Sequence, residues 1–554
     1  MSDRASYRQI LRSTSITAGA SGLNLLIGLA KLKAAAVLLG PTGIGLIGLM
    51  QSVMATAAAV ASMGLGTVGT QRIAESAGRS DEVDVARSRL ALFWGSLALA
   101  TIGGVAVWAC RKLIASTVFG NIAMADEAAW LAAGVALSVV AGAQTAVLNG
   151  LRRIGDLARL TVGSALASSL MGIVAIMVWG KSGIALFVIA VPLASVLLGR
   201  WYTSKLPPVL RSPSMAPLSE KLRLLVSAGA PLMASALVVS GGHLVVRSLV
   251  QSRLGGDALG YFQAAWTIAM TYVAFVLAAM GNDFFPRLSA SINDRDAANR
   301  LINQQTEVAV LLAGPVLLLM IGLSPLIVTL LFTREFSASG ELLRLLAIGD
   351  VFKIVSWPLG FMILARGNGR IFLITESVST MVFVGVVWAL LPLVGILAVG
   401  VGFIAMYVVY LAMVFALARR HSSFAWAATV TRMSALLLAL SISIALLSVV
   451  HIWAAAVLTV LVCLALAAIA FARLSRMAEV GGPLGQFCAQ AFAIRATTCS
   501  TVKGKLMYRA FRSICEPYKL GRLLFWRSSR PAFQTRLVCT PALTRSPLRS
   551  SARS

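Results

Sequence analysis

Uninterrupted apolar windows recur along the chain at 15–38, 44–68, 90–110, 128–148, 160–179 and 184–203. About 20 apolar residues at about 1.5 Å each cover the roughly 30 Å of hydrocarbon in a bilayer, and a helix satisfies its own backbone there. Each window therefore predicts a transmembrane helix. A polar stretch, Lys205 to Glu220, carries Pro207, Pro208, Pro213 and Pro217 and separates these six from another six, at 226–250, 258–281, 305–331, 342–364, 371–391 and 395–417. A last apolar hairpin, 433–450 and 453–472, turns at His451. The expectation is an all-α polytopic membrane protein with about 14 transmembrane helices. Its parts are a six-helix lobe over 1–204, a cytoplasmic linker over 205–221, a second six-helix lobe over 222–418, an extra hairpin over 430–473 and a basic, disordered tail over 474–554.

The two lobes repeat one another. Leu39-Gly40-Pro41-Thr42-Gly43-Ile44-Gly45-Leu46 recurs as Leu254-Gly255-Gly256-Asp257-Ala258-Leu259-Gly260-Tyr261, and the same offset of 215 pairs Gly66 with Gly281 and Arg72 with Arg287. Arg152 and Gly155 match Arg366 and Gly369 at 214, and Gly183-Ile184 matches Gly395-Ile396 at 212, which small indels would explain. An even number of spans per copy gives both the same orientation, so they relate by an axis along the membrane normal, with any shared site between them.

Composition supports this and changes one reading. At 58% hydrophobic and 12% charged the chain is not a water-soluble enzyme. The net charge of +28 suggests nucleic acid until it is divided by position, since residues 473–554 hold 15 of the 48 Lys+Arg and only 2 of the 20 Asp+Glu. No nucleic-acid partner is expected. With the N-terminus inside, the cytoplasmic segments up to Arg432 carry 23 Lys/Arg and the outer loops five: Arg111, Lys112, Lys181, Arg253 and Arg334. That asymmetry predicts both termini in the cytoplasm. The first apolar run follows Arg4, Arg8 and Arg12 but contains Lys31 and Lys33 and lacks a clear cleavage site, so it reads as a retained helix.

Several motifs dissolve in this setting. Gly43 to Gly48 and Gly64 to Gly69 both spell GxGxxG, yet neither follows a strand, and small residues for close helix approach explain them better. Gly180-Lys181-Ser182 lacks the leading glycine of a P-loop, its place being Ala175. Cys110 and Cys463 lie in spans, while Cys488, Cys499, Cys515 and Cys539 lie in the tail at gaps of 11, 16 and 24, matching no zinc spacing. His243, His421 and His451 are scattered, and His243 is expected as a packed polar residue. No metal, cofactor or catalytic residue is expected.

Ionisable groups inside spans carry more weight, because a charge at the bilayer centre costs about 2.5–3.5 kcal/mol even on insertion scales. Lys31 and Lys33 lie about 9–12 Å inside the outer boundary, and Arg247 falls between their repeat equivalents. These, with Lys353, are the candidate cationic cavity, against the alternative of snorkelling or structural ion pairs. Asp350 and Lys353 share a helix face three residues apart, either neutralising one another or forming a couple that an anionic ligand or proton disturbs. Glu307 and Glu376 are further switch candidates, and Arg72 and Arg287 candidate cytoplasmic gates.

Ser21-Gly22, Gly40-Pro41-Thr42-Gly43-Ile44-Gly45, Phe285-Pro286-Arg287-Leu288-Ser289 and Gly349-Asp350-Val351-Phe352-Lys353-Ile354-Val355-Ser356-Trp357 with Ala365-Arg366-Gly367 resemble the Wzx-type O-antigen and common-antigen lipid flippases over roughly residues 10–420. The resemblance implies the fold of the multidrug/oligosaccharidyl-lipid/polysaccharide exporter superfamily, with two lobes rocking around a cavity. It further implies movement of undecaprenyl-diphosphate-linked oligosaccharide to the periplasmic leaflet of a bacterial inner membrane, alongside a polysaccharide polymerase and a chain-length regulator. Asp350, Lys353 and Trp357 carry over by motif. The rivals are a peptidoglycan-precursor flippase, an ion-coupled multidrug exporter, a membrane polymerase or glycosyltransferase, and a membrane scaffold. Beyond about residue 475 the resemblance ends, in a composition that fits an altered reading frame or a disordered segment touching anionic lipid.

Overall fold

A computed structural model describes residues 2–79, 81–207 and 216–478. Most of the proline-bearing linker and the tail from residue 479, with its four cysteines, lie outside the described residues. The chain divides into two compact units, Met1–Ala472 and Arg473–Ser554, and the lobes belong to the first.

In chain order the helices are α1 (Ser2–Ser62), α2 (Leu65–Gly78), α3 (Glu82–Ala109), α4 (Arg111–Thr117), α5 (Ala125–Gly150), α6 (Ile154–Trp179), α7 (Ile184–Ser204), α8 (Ala216–Ser291), α9 (Arg295–Gly322), α10 (Ser324–Leu331), α11 (Ser339–Ala365), α12 (Gly369–Val394), α13 (Leu397–Ser422), α14 (Ala428–Val450) and α15 (Ile452–Ala478), with no strand among the described residues. Helices α1 to α7 form the first lobe and α8 to α13 the second. The second opens at Ala216, ahead of the expected 222.

Ten helical stretches among the described residues are long and apolar enough to cross a membrane, where the sequence suggested about fourteen windows. Three of the four fewer arise because helix continues where the sequence placed boundaries, and the fourth because the window at 453–472 falls in a shorter apolar stretch, Ile452–Ala468. Gly19–Ser62, Ile154–Ser204 and Met233–Ala274 are 44, 51 and 42 residues long, about twice what one crossing needs. A straight α1 of 61 residues would reach about 90 Å, so it must bend.

It bends at Gly40 (φ 65°, ψ −168°), and α8 bends at Gly255 (φ 84°, ψ −179°), its repeat equivalent. Positive φ is open to glycine without steric cost, and Pro41 removes the next N–H from the helical ladder. The repeat shows elsewhere in the backbone. Gly180 (φ 56°, ψ −129°) and Gly395 (φ 58°, ψ −139°) close α6 and α12 alike, again 215 apart. The turn after α5 bonds Arg152 N to Asn149 O, Arg153 N to Leu148 O and Ile154 N to Arg152 O. The turn after α11 repeats this with Gly367 N to Leu364 O, Asn368 N to Ile363 O and Gly369 N to Gly367 O. The offsets of 214 and 212 read from single residues are thereby corrected to 215. Short glycine matches slide along a turn, whereas its hydrogen bonds do not.

Each crossing reverses direction, so the breaks at Gly40, Gly180, Gly255 and Gly395 share one face of the bundle, and the turns at Arg152 and Gly367 share the other. Arg152 holds φ 53° where its equivalent is Gly367, a conformation costing a non-glycine residue about 1 kcal/mol. Arg152→Gly is therefore expected to raise the thermal unfolding midpoint by the equivalent of about 0.5–1 kcal/mol, as read by a melting curve in detergent.

The lobes meet along α1 and α8 on the Gly40 side. A Cβ on Gly45 would sit 2.7 Å from Gly260 N and 2.8 Å from Gly256 O. Thr42 Oγ1 donates to Asp257 Oδ1. Both Thr42 with Asp257 and Gly45 with Gly260 are repeat equivalents, so the pseudo-two-fold axis passes between them. The hairpin of α14 and α15 seats on α9, where Leu437 covers Gly314, Cys463 Sγ donates to Pro315 O at 3.1 Å, and Asn303 clasps Ala425 O and Ala427 N. Leu170, Met177, Leu393, Val449 and Trp453 are exposed, as side chains facing lipid should be.

Candidate functional site

The break at Gly255 folds α8 back on itself, bringing residues eight before and eight after it together. Arg247, only 5% exposed, donates from Nε to Gln263 Oε1 at 3.3 Å and from Nη1 to the His243 carbonyl at 3.4 Å. Its guanidinium lies over Phe262 at 5.2 Å and Trp266 at 5.5 Å. Gln263 is held in turn by Thr267, to whose hydroxyl its Nε2 donates at 3.1 Å. A Cβ on Gly48 would collide with the Gln263 carboxamide, so this glycine of the first lobe makes room for the group that orients Arg247. Small residues at a close crossing are thus what the first GxGxxG supplies.

From Arg247 a polar and aromatic cluster runs through the second lobe. His243 is packed edge-on against Trp266 and Phe383, within electrostatic reach of both Arg247 and Lys353. Trp266 meets Phe403 at 5.5 Å, and Phe403 meets Tyr407 at 4.9 Å. Lys353 Nζ sits 5.9 Å from the Phe403 ring, 5.6 Å from the Tyr407 ring and 3.3 Å from Met270 Sδ. Asp350 is fully buried and lies 3.7 Å from Lys353 Nζ. That exceeds hydrogen-bonding distance, and neither carboxylate oxygen has a hydrogen-bond partner. Glu376 on α12 faces Tyr410 on α13, within electrostatic reach of it and of Lys353.

The cationic residues expected in one cavity divide. Lys31, half-buried, rests its Nζ 4.1 Å over the Phe187 ring of α7, inside the first lobe. Lys33 is exposed and donates to the Leu330 carbonyl at the C-terminal end of α10, so it caps a helix instead of joining Lys31. Residues two apart on a helix point about 200° apart, which puts the pair on opposite sides. Arg247 and Lys353 lie on either side of His243, each within its electrostatic reach, with Asp350 and Glu376 on the Lys353 side. Glu307 belongs elsewhere, lining a polar crevice with Asp296, Asn299, Asn303 and Thr429 beside the α13–α14 connection. Arg72 pairs with Glu75 at 3.6 Å on the exposed side of α2, and Arg287 is exposed near the end of α8.

The sequence reading missed Gln263, Tyr407, Tyr410 and Arg344. Gln263 was findable, since a carboxamide inside an apolar window raises the same question as Arg247. Arg344 Nε donates to Ser324 Oγ at 2.8 Å, tying α11 to α10. The tyrosines read as ordinary interface aromatics until α12 and α13 bring Glu376 to Tyr410.

The sequence matches, over residues 35–341, the family described as polysaccharide biosynthesis protein. It is 26% identical over 184 residues to the lipid III flippase of Escherichia coli K12, and equally to that of Shigella flexneri. That match covers 32% of this chain and 44% of each relative, so the chain spans under half the length of these curated relatives. Among solved structures, the lipid II flippase MurJ in an inward closed conformation superposes with TM-score 0.62 at 12% identity, covering 82% of this chain and 98% of that one. An inward-facing multidrug resistance MATE transporter of the MOP superfamily gives TM-score 0.58 at 21% identity over 72% and 94%. These likenesses give the fold: two MATE-like helical lobes in a multi-pass membrane protein. With the family match extending over more than half of its length, this chain belongs to the polysaccharide biosynthesis protein family.

Proposed function

We propose that the protein is a flippase. It carries undecaprenyl-diphosphate-linked oligosaccharide from the cytoplasmic to the periplasmic leaflet of a bacterial inner membrane, by alternating access, for surface polysaccharide synthesis. The Arg152 face is cytoplasmic, as are both termini, and the Gly40 face periplasmic. The carrying observation is Arg247, an arginine buried at membrane depth in a chain of this family, held by a glutamine and two aromatic faces with Lys353 in the same cluster.

A diphosphate sugar cannot enter hydrocarbon without losing the water on its charges and hydroxyls, so a carrier must replace that water. In this reading Arg247, Lys353 and Lys31 receive the diphosphate while the isoprenoid tail stays in lipid. Asp350 acts as the switch, because Lys353 cannot satisfy both it and an arriving phosphate. Glu376, facing Tyr410, relays that change to α13. Arg72 and Arg287 meet the headgroup first, at the cytoplasmic mouth. A polysaccharide polymerase and a chain-length regulator act next on the delivered unit. The relatives named as lipid III flippases support a lipid cargo over a multidrug one.

Deleting the gene should make lipid-linked repeat units accumulate on the inner leaflet, measured by leaflet-specific labelling. Accumulation of peptidoglycan precursor instead would favour that substrate. Lys33→Gln, which removes an exposed charge and its bond to Leu330, should leave flipping in proteoliposomes within about fivefold, because an exposed capping contact contributes about 1 kcal/mol or less.

A further inference from the structure

Within the first lobe, α3, α5 and α7 line a half-open cavity of about 380 Å³, near the Arg152 face. Arg89, Arg200, Gln144, Ser96, Thr203 and Phe93 line it, and none of the lining residues is acidic. Arg89 stands seven residues into α3 and Arg200 four before the end of α7, depths of about 10 and 6 Å. Arg89 uses one of its five N–H groups on the Pro207 carbonyl, at 3.0 Å, which aims the guanidinium at the end of α7. Gln144 Oε1 is buried without a hydrogen-bond partner, its amide occupying the space that Gly199 leaves empty. Outside the mouth, Trp94, Leu97, Leu197 and Trp201 present exposed apolar surface.

The half-buried Arg89 and the exposed Arg200 line one hollow with no carboxylate on its wall. An anion is the complement of such a wall, and the planar guanidinium fork binds two phosphate oxygens at once. Tryptophans at this depth mark where headgroups give way to acyl chains. The ligand that satisfies both features has a phosphate at one end and hydrocarbon at the other.

We propose that this cavity holds the phosphate headgroup of an anionic membrane lipid between Arg89 and Arg200, with the lipid's chains lying along Leu97 and Leu197. The site is separate from the cluster around Arg247 and does not rest on the transport reading.

The full-length protein in detergent, titrated with short-chain phosphatidylglycerol, should show a saturable rise in thermal unfolding midpoint. Phosphatidylcholine should need at least about ten times the concentration. Arg89→Gln and Arg200→Gln should each raise the phosphatidylglycerol half-saturation on the order of tenfold, the usual loss for one charge-assisted hydrogen bond. Arg247→Gln should leave it unchanged. Since Arg89 also ties down Pro207, its variant could fail to fold, and then the exposed Arg200 decides alone. Wild-type titration curves in the arginine variants would overturn the proposal. So would inorganic phosphate acting at the same concentration as the lipid, which would make this a free-phosphate site.

Discussion

Arg247→Gln should lower flipping of a diphosphate-linked sugar in proteoliposomes by about 10- to 100-fold while the protein still inserts and folds. Hydrogen bonds to a charged group contribute about 1.5–3 kcal/mol each, and every 1.4 kcal/mol is a factor of ten. Glutamine is uncharged and two bonds shorter, so its Nε2 can still donate to Gln263 where Arg247 Nε did, while the bond from Nη1 to the His243 carbonyl is lost. Arg247→Lys should recover only part of the rate, because an ammonium cannot present the two-pronged donor that a diphosphate accepts. The measurement is initial flipping rate at fixed potential, with a melting curve for each variant. A rate within threefold of wild type for a well-folded Arg247→Gln protein would remove the headgroup role from this residue.

Much of this architecture was open to a reader of the sequence, for a definite reason. The bilayer forces each crossing into about 20 apolar residues, so windows locate the apolar helices, while helical continuity across Gly40 and Gly255 shifts the boundaries and leaves ten long stretches in place of about fourteen. Glycines at 40 and 255 were legible as a pair because the duplication preserves the backbone geometry they permit. Asp350 and Lys353 were legible because three residues on one helix fix neighbours. Lys33 was misread because depth alone says nothing about helical phase, and its phase sends it to Leu330. The contact of Glu376 with Tyr410 joins two helices, and the Arg89, Gln144 and Arg200 hollow joins three, so neither leaves a local signature.

Bridging Thr42 and Asp257 should stop transport almost completely. Thr42→Cys with Asp257→Cys, joined by a short bis-methanethiosulfonate linker, should cut flipping by about 95% or more, and a reducing agent should restore it. The expectation follows from the position of these residues on the pseudo-two-fold axis, where Thr42 donates to Asp257 and Gly45 lies against Gly260. With the orientation and alternating access proposed above, this contact would be the periplasmic closure, where the lobes part to release cargo. Gly45→Leu tests the same contact from the other side. Its Cβ would begin 2.7 Å from Gly260 N, and overpacking of this kind costs about 1–3 kcal/mol or more. The two conformations of a two-state protein differ by only a few kcal/mol, so the substitution should hold the lobes apart. Both variants should lose transport, with opposite accessibility. A cysteine replacing Lys353 should become reactive to a membrane-impermeant reagent from the periplasmic side in Gly45→Leu and unreactive in the bridged protein. Equal reactivity in the two, or a bridged protein that still transports, would show that the lobes do not separate at this crossing.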